Sequence, residues 1–78
     1  MRTLQGMRIN VDYMMEQMRI NAINDTFEKF KQASRHYYET CEGGSEVTRL
    51  INELDGLGAN MEYIFEVDLE IHNEVFGL

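Results

Sequence analysis

Residues 45–76 read SEVTRLINELDGLGANMEYIFEVDLEIHNEVF, and the spacing of their apolar side chains determines the predicted fold. Alternate steps of three and four residues from Val47 reach an apolar side chain at every position except Asp68. The stepped residues are Val47, Leu50, Leu54, Leu57, Met61, Ile64, Asp68, Ile71 and Val75. This period is typical of the seam by which one helix packs against another. We therefore predict a helix over residues 46–76.

A strand interpretation competes over part of this stretch. Between Met61 and Ile71 apolar residues also alternate with acidic ones, as they do in a half-buried strand. The alternating residues 7–13 would supply a pairing strand. Because the helical spacing begins before Met61 and continues past Ile71, and because glutamate favours helices over strands, we favour the helix. An α+β fold with a short two-stranded sheet is the alternative.

The first half of the chain predicts a second long helix over residues 9–41, after a lead-in of residues 1–8. Its apolar stripe again follows steps of three and four, and the chain contains no proline, the residue that breaks helices. Beside that stripe lies a strip formed by Met7, Val11, Met14, Met15 and Met18. This strip predicts a wide core face, or alternatively an exposed groove or a subunit interface, since methionine adapts to irregular surfaces.

Glycines mark the predicted helix ends. Gly43 and Gly44 predict a turn over residues 42–45, because glycine readily takes the left-handed conformation that ends helices. Ser45 is then the expected N-cap of the second helix. A further pair of glycines lies inside that helix and costs about 1 kcal/mol per glycine relative to alanine.

The predicted fold class is all-α, an antiparallel hairpin of two long helices. The internal glycines, Gly56 and Gly58, can divide the second helix. A hairpin of two helices in a 78-residue chain has little core of its own. We therefore expect two copies to pair into a four-helix bundle, as a homodimer.

Composition excludes several classes of function. The formal net charge of −7 disfavours direct nucleic-acid binding, and no run of 18 apolar residues is present to span a membrane. The lone Cys41 cannot form an internal disulfide or a multi-cysteine zinc site, which suits a reducing cytoplasm. No glycine-rich phosphate loop precedes a Lys-Ser/Thr pair, and no nucleophile has a base at a suitable spacing. We predict a non-enzymatic protein without a cofactor or metal.

Acidic residues concentrate in the second half. Residues 42–78 hold nine acids and a single base, Arg49. Four glutamates, which we call the acidic row, repeat at every fourth position: Glu62, Glu66, Glu70 and Glu74. The plain interpretation is a solvated helix face, although like charges at this spacing repel slightly. The functional interpretation is a surface that attracts a basic partner protein. Such a protein would regulate or inhibit a nucleic-acid-handling machine, as small acidic proteins of phages do.

Basic and aromatic residues cluster toward the end of the first helix. Aromatic rings can stack on a base while cations hold a phosphate, so the alternative function is an oligomer that sequesters a nucleotide or another small anion. Its ligand-binding residues would be Arg19, Lys29, Lys31, Arg35, Tyr37 and Tyr38. The plain interpretation is that Tyr37 packs while the cations are solvated.

Polar residues also interrupt both apolar stripes. In a hairpin that turns at residues 43–44, Asp68 lies opposite Arg19, and Glu16 lies near His72. Because buried charge is costly unless it is paired, we predict one polar layer of Glu16, Arg19, Asp68 and His72. This layer would set the helix register. A small-anion site and a metal site are the alternatives.

Overall fold

The computed structural model describes the backbone of residues 2–77 and the side chains of residues 12–77. It contains three helices: α1 (Arg2–Thr40), α2 (Gly44–Gly56) and α3 (Met61–Phe76). The predicted all-α class is confirmed. Residues 2–77 include no strand, so the two-stranded sheet is not supported. The helix α1 begins inside the stretch predicted as a lead-in.

The turn between α1 and α2 uses two left-handed residues. Cys41 has φ 61° and Gly43 has φ 85°. The carbonyl oxygen of Gly43 accepts hydrogen bonds from the backbone N–H groups of Glu46 (3.1 Å) and Val47 (3.2 Å). Gly43 is thus the N-cap of α2, and Ser45 lies inside the helix. The prediction of Ser45 as the N-cap was wrong. The helix begins at Gly44, and Gly43 caps it through its backbone carbonyl without a side-chain hydrogen bond.

A second turn divides the predicted helix over residues 46–76. The helix α2 ends at Gly56, Gly58 takes φ 81°, and Asn60 is the N-cap of α3. The Asn60 side chain accepts a hydrogen bond from the backbone N–H of Tyr63 at 3.2 Å, which satisfies one donor of the new helix end. Residues 2–77 therefore form three helices in place of two unbroken ones, and the second predicted helix is divided at Gly56 and Gly58, as the predicted fold allowed.

Both shorter helices pack against α1. The helix α2 runs back along α1 from the turn at residues 41–43 until Leu57 meets Arg19. The helix α3 then runs parallel to α1, since Tyr63 packs on Phe27 at its start and Glu74 pairs with Arg35 near its end. The buried core cluster consists of Phe30, Leu50, Leu54 and Ile64.

The core covers only part of α1. Every residue from 12 to 21 except Gln17 is exposed, whereas partly buried residues begin to pack on the core cluster from Ile23 onward. The molecule measures 60 × 22 × 14 Å, and its long dimension matches a helix of 39 residues. We call residues 2–18 the arm and residues 19–76 the body.

Candidate functional site

The helix α3 carries apolar residues on two faces. Ile64 and Ile71 are buried against the body. Phe65, Leu69 and Phe76 lie on a second face and are 53%, 58% and 54% exposed. Helical spacing places the half-buried His72 between Leu69 and Phe76 on that same face. We call Phe65, Leu69, His72 and Phe76 the outward stripe.

Aromatic contacts fix one end of the outward stripe to α1. The His72 ring lies 5.0 Å from the Tyr38 ring in an edge-on arrangement and 4.7 Å from the Phe76 ring. Tyr38 and Phe76 are also in edge-on contact, with ring centroids 6.2 Å apart. Such pairs stabilise a fixed geometry. Phe76 is therefore held in place although half of its surface faces solvent.

The acidic row has two different environments. Glu62 and Glu66 are exposed, and their helical positions border the outward stripe. Glu70 and Glu74 instead line a shallow groove of about 300 Å³ between α1 and α3. The facing wall carries cationic side chains, and an Arg35 guanidinium N–H donates to Glu74 at 2.7 Å. Part of the row's charge is thus compensated within the chain.

The residues of the alternative anion site do not meet in one pocket. Three of the cations have carboxylate partners within 2.7 Å: Arg19 with Glu16, Lys31 with Glu28, and Arg35 with Glu74. Arg19 lies beside Leu57, whereas Tyr37 packs near Gly44 at the other end of α2. Lys29 is exposed, and the Lys31 ammonium lies 4.9 Å above the Phe27 ring.

The predicted polar layer is divided between two places. Asp68 accepts hydrogen bonds from the hydroxyls of Ser34 and Tyr38, the latter at 2.8 Å, and not from Arg19. The prediction assumed one continuous second helix, and the turn after α2 reverses α3, which brings Asp68 beside the later part of α1. Ser34 is 1% exposed, and the predicted polar layer did not include it. Ser34 interrupts the apolar stripe of the first helix, as Asp68 interrupts that of the second, and this shared feature could have predicted their contact.

Burial raises the pKa of Tyr38 to about 12, with a smaller contribution from its hydrogen bond to Asp68. The Tyr38 hydroxyl donates to an Asp68 carboxylate oxygen, and the Tyr38 ring packs edge-on against His72. This cluster of Ser34, Tyr38, Asp68 and His72 joins α1 to α3. It has the character of a structural network, because the hydroxyls of Ser34 and Tyr38 both donate to Asp68 while His72 packs on the Tyr38 ring.

Glu16 and Arg19 form the other part of the predicted layer. Arg19 donates to both carboxylate oxygens of Glu16, at 2.6 and 3.2 Å, and to the carbonyl oxygen of Leu57 at 3.1 Å. The hydrogen bond from Arg19 lowers the pKa of the Glu16 carboxyl. Arg19 thereby joins the start of the body to the turn between α2 and α3.

Other classes of site find no geometric support in the described residues. Between residues 2 and 77, no group of three or more His, Cys, Asp or Glu residues is placed to hold a metal ion. No helix of the described chain combines the length and apolar character needed to cross a membrane. Comparisons with protein-family models, curated proteins and solved structures found no match to this chain.

Proposed function

We propose that this chain is a protein-binding module that docks the outward stripe of α3 into an apolar groove with a basic rim. The observation that carries the proposal is the exposure of Phe65, Leu69 and Phe76, each by more than half, on one face of one helix. Their positions at i, i+4 and i+11, with His72 at i+7, repeat the spacing of anchors in helix-in-groove recognition. Isolated exposed apolar residues need no explanation, but an aligned set of this size does.

The acidic row gives the proposed interface a negatively charged rim. Glu62 and Glu66 border the outward stripe and would lie at the rim, where charge steers association and selects partners. Glu70 is the third exposed member, and Glu74 contributes less because Arg35 already neutralises it. A basic rim beside an apolar groove is therefore the complementary surface.

Binding of this chain would regulate a partner by occupying its phosphate-binding surface. Proteins that handle nucleic acids use basic surfaces for phosphates, and an acidic helix bound there competes with the phosphate backbone. We propose inhibition by this route as the consequence of binding. Sequestration of a small anion has less support, because Arg19, Lys31 and Arg35 each have a carboxylate partner.

The test is affinity capture with the tagged full-length chain from its source cells, followed by quantitative mass spectrometry. We expect at least one protein to be retained by the native chain and lost with Phe65→Ala/Leu69→Ala and with Glu62→Lys/Glu66→Lys. The matched control is Glu39→Lys/Glu42→Lys, which makes the same charge change at exposed residues outside α3. The same protein should be retained by this control.

Three outcomes would contradict the proposal. A partner that survives both α3 variants does not use this face. A partner lost equally with the control responds only to net charge. Loss with Arg35→Ala/Tyr38→Phe but not with Glu62→Lys/Glu66→Lys would favour the anion-sequestering function instead.

A further inference from the structure

The arm of α1 exposes an apolar strip that belongs neither to the core nor to α3. Met14, Met15 and Met18 are 60%, 64% and 68% exposed. Helical spacing puts Met14 and Met18 one turn apart on one face, with Met15 at its edge. Along the sequence, the same three-four spacing extends back through positions 11, 7 and 4, which are Val, Met and Leu. This pattern is a heptad seam of five positions.

A single helix has little reason to persist here without a partner. Isolated helices of about 12–15 residues are marginal in water, and most helical stability in proteins comes from packing of an apolar face. Within the described side chains of the arm, residues 12–16 and Met18 are exposed and Gln17 is half-buried. The strip therefore requires an occupant that covers one face of a helix.

Charge points to a second copy of the same chain. The arm carries two arginines, Arg2 and Arg8, and two acids, Asp12 and Glu16, so its formal net charge is zero. The whole net charge of −7 thus belongs to the rest of the chain. Two copies repel each other at every approach that brings their bodies together, and they repel least when arm meets arm.

We infer that two copies pair through their arms as an antiparallel helical dimer, independently of α3. In the antiparallel arrangement, position 7 of one copy shares a layer with position 18 of the other, and position 11 with position 14. All four positions are apolar. The bordering heptad positions 10, 15 and 17 are uncharged, and position 8 is the only charged one that borders these layers. The seam is therefore self-complementary, as a twofold interface requires.

Body charge selects the antiparallel orientation over the parallel one. A parallel pair would place two acidic bodies side by side, within reach of each other's charge at a Debye length of about 8 Å. The antiparallel pair places them at opposite ends of the assembly. This dimer differs from the predicted four-helix bundle, because the arms and not the apolar seam of residues 47–75 make the contact.

Sedimentation velocity on the full chain tests the pairing. The seam is short, so we expect dissociation in the micromolar range and a mass that rises from 9.2 kDa toward twice that value between about 1 and 200 µM. Met14→Glu/Met18→Glu should raise the dissociation constant at least about tenfold, since it buries charge in the seam. Both side chains are exposed in the single chain, so circular dichroism should show the body still folded.

The matched control is Tyr13→Glu/Ile20→Glu, which also replaces two exposed apolar residues of α1 by acids but at positions outside the seam. It should dimerise like the native chain. A native chain that stays at 9.2 kDa throughout would overturn the inference. Dimers of unchanged affinity in Met14→Glu/Met18→Glu, or equal loss in both double variants, would overturn the assignment to this seam.

The distance between spin labels measures whether the two arms are antiparallel. Cys41 is exposed and is the chain's one cysteine, so a nitroxide can be attached to it in the native sequence. In the antiparallel dimer the two labels should lie about 85 Å apart, from a rise of about 1.5 Å per residue on each side of the seam centre. A separation below about 30 Å would show parallel arms and overturn the antiparallel assignment.

Discussion

The arm and the body of α1 share one continuous helix but differ in what surrounds them. The body buries Phe30 completely against α2 and α3, whereas the arm leaves Met14 and Met18 mostly in solvent. Phe30 lies where α2 and α3 pack on α1, whereas α2 ends before it reaches the arm. Leu57, where α2 gives way to the turn, meets Arg19 and thereby sets the limit of the core. The buried core therefore lies in the body, while the arm and α3 each keep an exposed apolar face.

The largest contrast is expected from paired alanine substitutions. Leu54→Ala removes a side chain that is 0% exposed, and it should lower the free energy of unfolding by about 3 kcal/mol. Met15→Ala in the arm should change it by less than about 0.5 kcal/mol. Urea unfolding followed by circular dichroism at low micromolar concentration measures both, and equal losses in the two variants would contradict the division.

Asp68→Ala tests the polar cluster that joins α1 to α3. It leaves the buried Ser34 hydroxyl without its acceptor, and we expect a loss of about 2 kcal/mol in the free energy of unfolding. Asp55→Ala, at an exposed position of α2, is the control and should cost less than about 0.5 kcal/mol. If the two variants unfold at the same urea concentration, Asp68 does not stabilise the body.

Alkaline pH should reveal the contribution of Tyr38 to stability. Its pKa is raised to about 12 in the folded chain, against about 10 in an unfolded one. The folded state keeps a proton that the unfolded state releases, so this stabilisation is complete below pH 10 and is lost as the pH rises toward 12. We expect a loss of roughly 1–2 kcal/mol over that range, because the side chain is only half-buried.

Tyr38→Phe supplies the control for this pH dependence. Free energies of unfolding measured from pH 8 to about 11.5 should fall less steeply for the variant than for the native chain. Parallel curves for the two proteins would show that the Tyr38 proton does not contribute.

The smallest expected effect is a gain in stability at the turn after α1. Cys41 has φ 61°, a conformation that strains a residue with a Cβ atom. Cys41→Gly should relieve this strain, although glycine also loses more backbone entropy on folding. The net result should be a free energy of unfolding higher by about 0.5–1 kcal/mol. Cys41→Ser keeps the Cβ atom and should be neutral in the same urea titration. A lower free energy of unfolding in Cys41→Gly would contradict the left-handed conformation of residue 41.

The sequence predicted the helices better than it predicted their directions. Three-four spacing identified both apolar stripes, and the glycine pair at residues 43–44 located the first turn. The direction of the chain after Gly58 could not be predicted, because glycine permits either a continued helix or a reversal. The error carried over to Asp68, which was paired with Arg19 across a hairpin that does not form.

The site was predicted only in part. The acidic row was identified from spacing, but the outward stripe was not, since Phe65 and Leu69 appeared as part of a strand-like alternation over residues 61–71 and were not grouped with His72 and Phe76. That alternation arises because α3 has two apolar faces, with Ile71 buried on one and Phe65 and Leu69 exposed on the other. A single stripe drawn at helical spacing cannot represent both. Pairing of Glu74 with Arg35 depends on tertiary structure and was equally inaccessible.

Amide hydrogen exchange of the full chain, measured by NMR at two protein concentrations, compares arm and body most directly. Amides around Phe30, Leu50 and Ile64 should be protected at both concentrations, because their helices are held by the core. Amides of residues 12–18 should exchange rapidly in dilute protein and become protected only where the arms pair. Arm protection equal to that of the body in dilute protein, with no dependence on concentration, would contradict the division of α1 into a self-supporting body and an arm that needs a second copy.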